Sequence, residues 1–283
     1  MDNNDIAYIE LLGLTLSGAK RPDQGLYWTD LTGWWGLPEL RGVPDNIPGD
    51  SGRFMRTSHY RDSRVISLVG HILTDSNRDL VSVRDRLEAS LSASTGEMKV
   101  VTNGTGAWSR TVEIESLVID PDHGREWTKF TVDMVAPDPR RYGPLQRVGP
   151  ARLPVATGGV RLPQAMPWNF GTVSDEGRLL IPNSGSIPLH PTIIADGGFD
   201  SIIISDITAG RRLRLEWPVG AGSSAVFDSA RRRVELGPSE ITRWLTRREW
   251  FTVPPGYTHE FRFEVVGGSE EPAIWGEYTE GAW

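Results

Sequence analysis

The pattern of apolar positions between Arg64 and Ser94 is the clearest structural signal in the chain. An almost continuous apolar run from Arg64 to Leu73, rich in β-branched and aliphatic residues, predicts a strand that is buried on most of its surface. An amphipathic helix over about residues 77–94 follows, because apolar side chains recur there at three- and four-residue steps. The stripe comprises Leu80, Val83, Leu87 and Leu91. We expect it to cover one face of a sheet.

The ends of this helix also have sequence signals. Ser76 and Asp79 have the spacing of a capping box, which predicts that the helix begins after Ser76. Gly96 is expected to stop the helix, since glycine is common just beyond helix ends. The charged residues outside the apolar stripe include Arg78, Asp85 and Glu88. We predict that these three face solvent or a neighbouring subunit.

The rest of the first half predicts strands joined by turns. The predicted strands are Ile6–Leu16, Met98–Thr102, Trp108–Ile119 and Trp127–Val135, with a hairpin turn at Asn103-Gly104. The Pro and Gly residues of 18–53 predict a long irregular segment, which contains Trp34-Trp35. Two interpretations of this pair remain open: local cover of the core, or a subunit or partner contact, because Trp is enriched among interface anchors.

The second half predicts a β-sandwich after a connector. Residues 145–170 contain many Pro and Gly, which break regular elements, and clean alternation of apolar and polar positions begins near residue 173. Leu213, Leu215 and Trp217 share one strand face, and the odd positions from Tyr257 to Val265 are predicted to point inward. The mainly β chain thus divides into an N-terminal β domain (1–145), a connector (146–172) and a C-terminal β-sandwich (173–283).

Composition excludes several classes of protein. The 283 residues include no Cys, so the chain has no disulfide and no thiolate metal site. The net charge of −7 argues against a nucleic-acid binder that neutralises phosphates. No run approaches eighteen apolar residues, and the first twenty residues lack the pattern of a signal peptide. We therefore expect a soluble protein that does not enter a membrane and is assembled in the cytoplasm.

The sequence contains no convincing catalytic, cofactor or metal site. The histidines, none of which has metal-ligand spacing, are His59, His71, His123, His190 and His259. His71 and His259 lie in apolar strands, where structural histidines are expected. Gly220-Ala-Gly-Ser-Ser-Ala225 matches a dinucleotide fingerprint only formally, because a strand-like segment follows it rather than a helix. We predict that the chain is not an enzyme and holds no cofactor or metal.

The order of short motifs along nearly the whole chain resembles the distal tail protein (Dit) family of siphophages. In the first half the motifs are the Pro/Gly loop Arg41–Gly52, the run Tyr60–Gly70 with the single helix after it, and the ending Asp138-Pro-Arg-Arg-Tyr142. The connector resembles the family's linker in Gly158-Gly-Val-Arg-Leu-Pro163 and Pro167-Trp168, although Leu162 stands where an aromatic residue is usual. The long Trp-bearing loop at 26–37 has no counterpart that aligns.

The second half continues the same order of motifs. They are Asn183-Ser-Gly185, Pro191-Thr-Ile193, Thr208-Ala-Gly210, Val226-Phe-Asp228, Pro254-Pro-Gly256 and the aromatic tail Trp275–Trp283. Each motif alone is weak, and their order carries the resemblance.

The resemblance implies a structural virion protein that forms a homohexameric ring. This distal tail protein would be the baseplate hub, also called a minor tail protein, that joins the tail tube protein to a tail-tip protein and lets DNA pass without specific binding. The N-terminal domain, a β-sandwich or split barrel with the helix against it, would form the ring, and the C-terminal domain would be galectin-like. The candidate subunit or partner interface comprises Trp34, Trp35, Arg78, Asp85, Glu88, Arg140, Arg141 and Tyr142. The alternative is a carbohydrate- or receptor-binding tail module.

Overall fold

The chain divides into two compact units. The computed structural model describes residues 5–18, 25–42, 46–55, 60–104, 106–120, 126–153, 177–267 and 272–283. Unit 1 comprises Met1–Pro144 together with Ala282–Trp283, and unit 2 comprises Leu145–Gly281. Within the described ranges, no helix is long and apolar enough to cross a membrane.

The described residues of unit 1 form one helix and a closed barrel of seven strands. In chain order the elements are β1 (Ile6–Leu11), β2 (Leu14–Ser17), β3 (Gly25–Thr32), β4 (Arg64–Leu73), α1 (Asn77–Leu91), β5 (Thr95–Thr102), β6 (Gly106–Ile119) and β7 (Trp127–Ala136), after which β8 (Arg141–Arg152) begins. The barrel order is β1-β2-β3-β4-β7-β6-β5, and β5 pairs with β1 to close it. All neighbours are antiparallel except β2 and β3. Closure pairs the seven strands into a ring, although β2 and β3 meet only at Ser17 and Tyr27.

The predicted strand and helix between Arg64 and Ser94 are present, but the strand is not buried on most of its surface, since its burial alternates and Val65 is 63% exposed. In β4, Ile66 and Leu68 are completely buried in the unit 1 core. Leu87 and Leu91 of α1 are also buried, and the other two residues of the apolar stripe are partly buried against the same core. Burying apolar side chains stabilises a helix of this length more than its intrinsic propensity does.

The start of α1 agrees with the prediction, but its end does not. The Ser76 hydroxyl accepts a hydrogen bond from the backbone N–H of Asp79 at 3.2 Å, so Ser76 is the N-cap. The helix ends at Leu91, before the predicted stop at Gly96. Gly96 instead lies in β5, where a Cβ would overlap the side chain of Leu12. Close packing, not helix termination, explains this glycine.

Two predictions near the N-terminus are wrong. The single strand predicted over Ile6–Leu16 is a hairpin, because Leu12 and Gly13 turn the chain with φ angles of 46° and 82°. The segment 18–53 is not irregular throughout, since β3 lies within it. β3 pairs antiparallel with β4, and this tertiary pairing supplies the hydrogen bonds that local sequence did not reveal.

The remaining strands of unit 1 are close to their predicted ranges. β5 and β6 form the predicted hairpin about Asn103-Gly104, with Thr102 opposite Gly106. The predicted sandwich or split barrel is a barrel, because β6 also pairs with β7 and completes the ring of strands.

Unit 2 is a β-sandwich. Its further strands are β9 (Leu179–Pro182), β10 (Thr192–Asp196), β11 (Ser201–Asp206), β12 (Arg211–Leu215), β13 (Ser224–Asp228), β14 (Arg233–Leu236), β15 (Ser239–Glu240), β16 (Leu245–Arg248), β17 (Thr258–Val266) and β18 (Ala273–Ala282). One sheet has the order β15-β14-β13-β10-β18-β8, and the other has the order β16-β12-β11-β17-β9. A single hydrophobic core joins residues of both sheets.

Most of the predicted inward positions of unit 2 are buried. Leu213, Leu215 and Phe261 are completely buried. Trp217 and Val265 are partly buried, and Tyr257 is 62% exposed because it lies in the turn before β17 rather than within the strand. His259, predicted to be structural, is buried with its Nδ1 2.7 Å from Asp206 Oδ2.

A strand occupies the beginning of the predicted connector. β8 continues to Arg152 despite Pro144 and Pro150, beside β18 in the sheet order. The next residues, 154–176, lie outside the described residues, together with the two linker motifs named above.

Candidate functional site

The tryptophan-bearing segment after β3 is a compact loop whose shape is fixed by barrel side chains. Gly33 has a φ of +77°, and a Cβ at this position would overlap the carbonyl oxygen of Val65. Trp34 follows and is completely buried in the unit 1 core. This burial favours local cover of the core for Trp34, and contact with a subunit or partner remains a prediction for the pair. The loop from Gly33 to Gly36 is called the Trp loop below.

Arg64, the first residue of β4, donates hydrogen bonds to backbone carbonyl oxygens of the Trp loop. Its Nη1 donates to the carbonyls of Gly33 at 2.8 Å and Trp35 at 2.9 Å, and its Nη2 donates to Gly36 at 2.7 Å. Its Nε donates to the carbonyl of Pro139 at 3.3 Å. Burial, with a smaller repulsion from Arg141 and Arg61, lowers the pKa of this guanidinium. The planar fork of five N–H donors allows one side chain to satisfy several carbonyls at once.

Arg110 of β6 supports the same loop from inside the barrel. Its Nη1 donates to the carbonyl of Trp34 at 2.8 Å, and its guanidinium carbon lies 4.2 Å from the centre of the Trp34 ring. Burial, reinforced by the positive charges of Arg64 and Arg141 and opposed by Asp138, lowers the pKa of Arg110 to about 9. The side chain therefore remains charged at neutral pH. The Trp34 ring face offsets part of the energy that burying this charge costs.

Arg141 completes the group at the start of β8. Its guanidinium carbon lies 4.8 Å from the Trp35 ring centre and 5.1 Å from that of Trp108. Burial lowers the pKa of Arg141 as well. The arginine–tryptophan cluster is defined as Trp34, Trp35, Arg64, Trp108, Arg110 and Arg141. It connects the ends of several barrel strands through side-chain contacts.

The Asp138–Tyr142 motif forms its own turn beside the cluster. The Tyr142 hydroxyl donates to Asp138 Oδ2 at 2.7 Å, and the backbone N–H of Arg140 donates to Asp138 Oδ1 at 3.1 Å. Burial, followed by the hydrogen bond to Asp138, raises the pKa of Tyr142 to about 12. The Arg140 guanidinium lies 5.8 Å from the Trp283 ring, and that of Arg61 lies 5.4 Å from it. The motif thus fixes the chain between β7 and β8.

Three residues of the predicted interface belong to α1, which contributes no residue to the arginine–tryptophan cluster. Arg78, Asp85 and Glu88 are exposed on α1. Arg84 lies 3.4 Å from Asp85 and 3.9 Å from Glu88 on the same helix. Exposed pairs of this kind contribute little to stability, so these residues are available to a partner. Their role as an interface remains a prediction.

Four large side chains between the Trp loop and β4 are exposed. Leu37, Phe54, Met55 and Tyr60 are exposed by 61%, 56%, 89% and 72%. Bridges between Leu40 and Arg61, and between Asn46 and Arg53, order the backbone around them. Large apolar side chains that are exposed close together are typical of contact surfaces for other proteins. The four residues are called the loop patch below.

The cluster has no arrangement suited to acid–base or metal chemistry. Within the part of the chain that the structure describes, no group of three or more His, Asp or Glu residues could hold a metal ion. The sequence interpretation missed Arg64 and Arg110. Arg110 had a usable signal, since it alternates with the buried Val112 on the inner face of β6. Arg64 had none, because its partners lie about 30 and 75 residues away.

Comparison with known proteins shows where this fold occurs. The chain is similar to the crystal structure of the SPP1 Dit (gp 19.1) protein, a hub of the adsorption apparatus in phages that infect Gram-positive bacteria. The similarity has 14% identity and a TM-score of 0.63, and it covers 98% of each chain. A chain of the phage P2 baseplate in its activated conformation with Ca matches with 7% identity and a TM-score of 0.52, over 97% of each chain.

No family model and no curated protein sequence matches the chain. The similarity is therefore one of fold. It extends over both units, and the chain has the fold of a phage distal tail hub protein.

Proposed function

We propose that this chain is the subunit of a distal tail hub, a ring that joins the tail tube to the tail tip of a siphophage. The observation that carries the proposal is the shared fold with the SPP1 hub protein over 98% of both chains. Fold alone does not establish function, since one fold supports many functions. A match through two different β units in the same order is nevertheless more specific than a match to one common domain.

The features of unit 1 fit a structural role. The arginine–tryptophan cluster stabilises a loop, and the solved structures that share the fold are hub and baseplate proteins, so we assign the chain no catalytic activity. The loop patch exposes apolar side chains that a neighbouring subunit or tail protein would cover. We place the ring contact there and on the outer face of α1, which carries Arg78, Asp85 and Glu88.

The finer features of the hub follow the same proposal. The ring would contain six copies, with unit 1 around the lumen and unit 2 as a galectin-like sandwich. Acidic side chains outnumber basic ones in the first 145 residues, so a lumen with this charge would repel phosphates and let DNA slide through. The protein would be assembled in the cytoplasm of the host bacterium and function in the virion tail.

A stop codon in the gene tests the hub role in the particle that encodes this chain. We expect lysates without joined tails, because the tube and tip would lack their junction, and we expect full restoration when the chain is supplied from a plasmid. Electron microscopy of the lysates gives the result. Normal tails with tips in the absence of the chain would contradict the hub role.

The same complementation tests the loop patch. Met55→Asp is expected to leave folding unchanged, because Met55 is 89% exposed, but to place a charge in an apolar contact and abolish tail assembly. Leu180→Asp is the matched control, since Leu180 is a 52% exposed apolar residue of unit 2. If both variants restore tails equally, the loop patch is not a contact.

The alternative function is a carbohydrate- or receptor-binding module. One observation favours it, the arginine-lined cleft of unit 2 described next.

A further inference from the structure

Unit 2 has a cleft whose lining is strongly basic. The cleft has a volume of about 480 Å³. It is lined mainly by His190, Arg211, Ser229, Arg232, Arg248 and Trp250. Its three guanidinium groups belong to exposed residues from separate parts of the chain. An arrangement that brings three positive charges to one cleft attracts anions.

Among the described residues that line the cleft, Glu249 is the one with a carboxylate, and its hydrogen bonds go to other groups. Glu249 Oε1 accepts from Arg247 Nε at 3.0 Å, and its Oε2 accepts from the backbone N–H of Arg212 at 2.8 Å. Neither of these donors belongs to the side chains that line the cleft. The hydrogen bond from Arg247, followed by that from Arg212, lowers the pKa of Glu249, which stays ionised and occupied.

Two of the cleft arginines are held by backbone carbonyls rather than by acids. Arg211 Nη1 donates to the carbonyl of Trp250 at 2.9 Å. Arg248 Nε and Nη2 donate to the carbonyls of Leu245 at 3.1 Å and Arg243 at 3.2 Å. These bonds orient both guanidinium groups and leave their charges uncompensated. Orientation before binding reduces the entropy lost when a ligand binds.

Ser229 supplies an independent sign of a ligand. The residue is only 3% exposed, and its hydroxyl has no hydrogen-bond partner among the described residues. Buried hydroxyls normally have a hydrogen-bond partner, because a buried polar group that makes no hydrogen bond is unfavourable. Ser229 lines the cleft, so a rotation of its side chain about χ1 would let a bound oxyanion accept this hydrogen bond. Arg232, three residues later, has a φ of 56°, which side-chain-bearing residues rarely adopt.

We propose that this cleft binds a phosphate group. Tetrahedral oxyanions suit a ring of guanidinium donors, since each oxygen accepts charge-assisted hydrogen bonds from an arginine fork. After side-chain rotation the Ser229 hydroxyl supplies a further donor, and Trp250, which also lines the cleft, offers an aromatic side chain to a sugar or polyol. The phosphate comes either from free phosphate or from a phosphodiester-linked polyol or sugar polymer. Binding here does not depend on ring formation.

Calorimetric titration of the full chain at low salt tests the proposal. The probes are inorganic phosphate, pyrophosphate, a synthetic glycerol-phosphate oligomer and a single-stranded DNA of equal charge. We expect the oligomer or the free anions to bind. Tighter binding of the oligomer assigns the ligand to a polymer, and equal binding assigns it to the free anion.

Paired variants make this test specific. Arg232→Gln and Ser229→Ala are each expected to weaken binding about tenfold, because each removes a donor to a charged group. Arg231→Gln is the matched control, since Arg231 is adjacent and exposed but pairs with Asp228 outside the cleft. This variant should bind the phosphate probes with an affinity within about twofold of that of the unchanged chain.

Three results would overturn the proposal. The first is no binding of any phosphate probe. The second is a loss of affinity from Arg231→Gln equal to that from Arg232→Gln. The third is binding of the DNA as tight as that of the oligomer, which would indicate general attraction to polyanions. Thermal melting of each variant shows that the fold is intact.

Discussion

Arginine has opposite environments in the two units. In unit 1, Arg64 and Arg110 are 5% and 1% exposed and donate to carbonyl groups of the Trp loop. In unit 2, the arginines of the cleft are exposed. The difference separates two uses of the same side chain. A buried guanidinium with internal acceptors stabilises a backbone, whereas an exposed and oriented one is available to a ligand.

This contrast predicts different consequences of removing the charge. A buried arginine that satisfies carbonyls leaves them without donors when it is replaced, and the free energy of unfolding falls. The exposed Arg232, unlike Arg211 and Arg248, has no described hydrogen bond to a backbone carbonyl, so we expect its removal to change binding and leave stability almost unchanged. Stability measurements on matched variants therefore test which arginines are structural.

Arg64→Met should have the largest effect. It leaves the carbonyls of the Trp loop without their donor, and we expect the free energy of unfolding of unit 1 to fall by about 3–5 kcal/mol. Urea denaturation followed by near-ultraviolet circular dichroism gives the value. Arg78→Met, at an exposed position of the same unit, is the control and should change it by less than about 0.5 kcal/mol. Similar values for both variants would remove the distinction between the two environments.

Arg141→Gln should have an intermediate effect. The substitution removes a cation from the faces of Trp35 and Trp108, and such contacts contribute about 1–2 kcal/mol when partly buried. Thermal unfolding monitored by tryptophan fluorescence measures the loss and should also show a changed emission maximum. Unchanged emission and stability would show that the ring contacts do not hold the loop.

Tyr142→Phe should have a smaller effect that depends on pH. The folded-state pKa of Tyr142, about 12, exceeds its ordinary value of 10, so the folded state favours the neutral hydroxyl. The stabilisation is fully present below pH 10 and is lost as pH rises through 12. Unfolding of both proteins by urea from pH 9 to about 12 should show the variant's deficit shrinking. A deficit that stays constant with pH would contradict this role.

Arg232→Gln should have the smallest effect on stability. Because Arg232 is exposed, we expect a change in the free energy of unfolding of less than about 0.5 kcal/mol. Urea denaturation of this variant beside Arg64→Met completes the comparison. A loss comparable with that of Arg64→Met would mean that the cleft arginine is structural, and the proposed phosphate site would lose its basis.

Elements that depend on interactions between residues close in sequence were predictable, whereas elements that depend on distant residues were not. β4 and α1 were predictable because their periodic apolar positions and the Ser76 cap are local signals. β3 was missed because its strand state depends on pairing with β4, about 40 residues away. The hairpin of β1 and β2 was missed because Leu12 adopts a positive φ that its residue type does not suggest.

The candidate site was less predictable than the fold. The sequence singled out Trp34, Trp35 and Arg141, which the structure brings together, but it offered contact with a partner as one role for Trp34. The completely buried Trp34 ring shows why residue type is insufficient: the same side chain serves cores and interfaces. Arg64 is recognisable only when the backbone of the Trp loop is present.

Cryo-electron microscopy of intact tails from the particle that encodes this chain tests the hub role most directly. The account predicts a closed ring of six copies at the junction of tube and tip, with unit 1 around the lumen and the loop patch covered by a neighbouring protein. A map in which the chain is absent from that junction, or occurs only as isolated peripheral copies, would contradict the hub role.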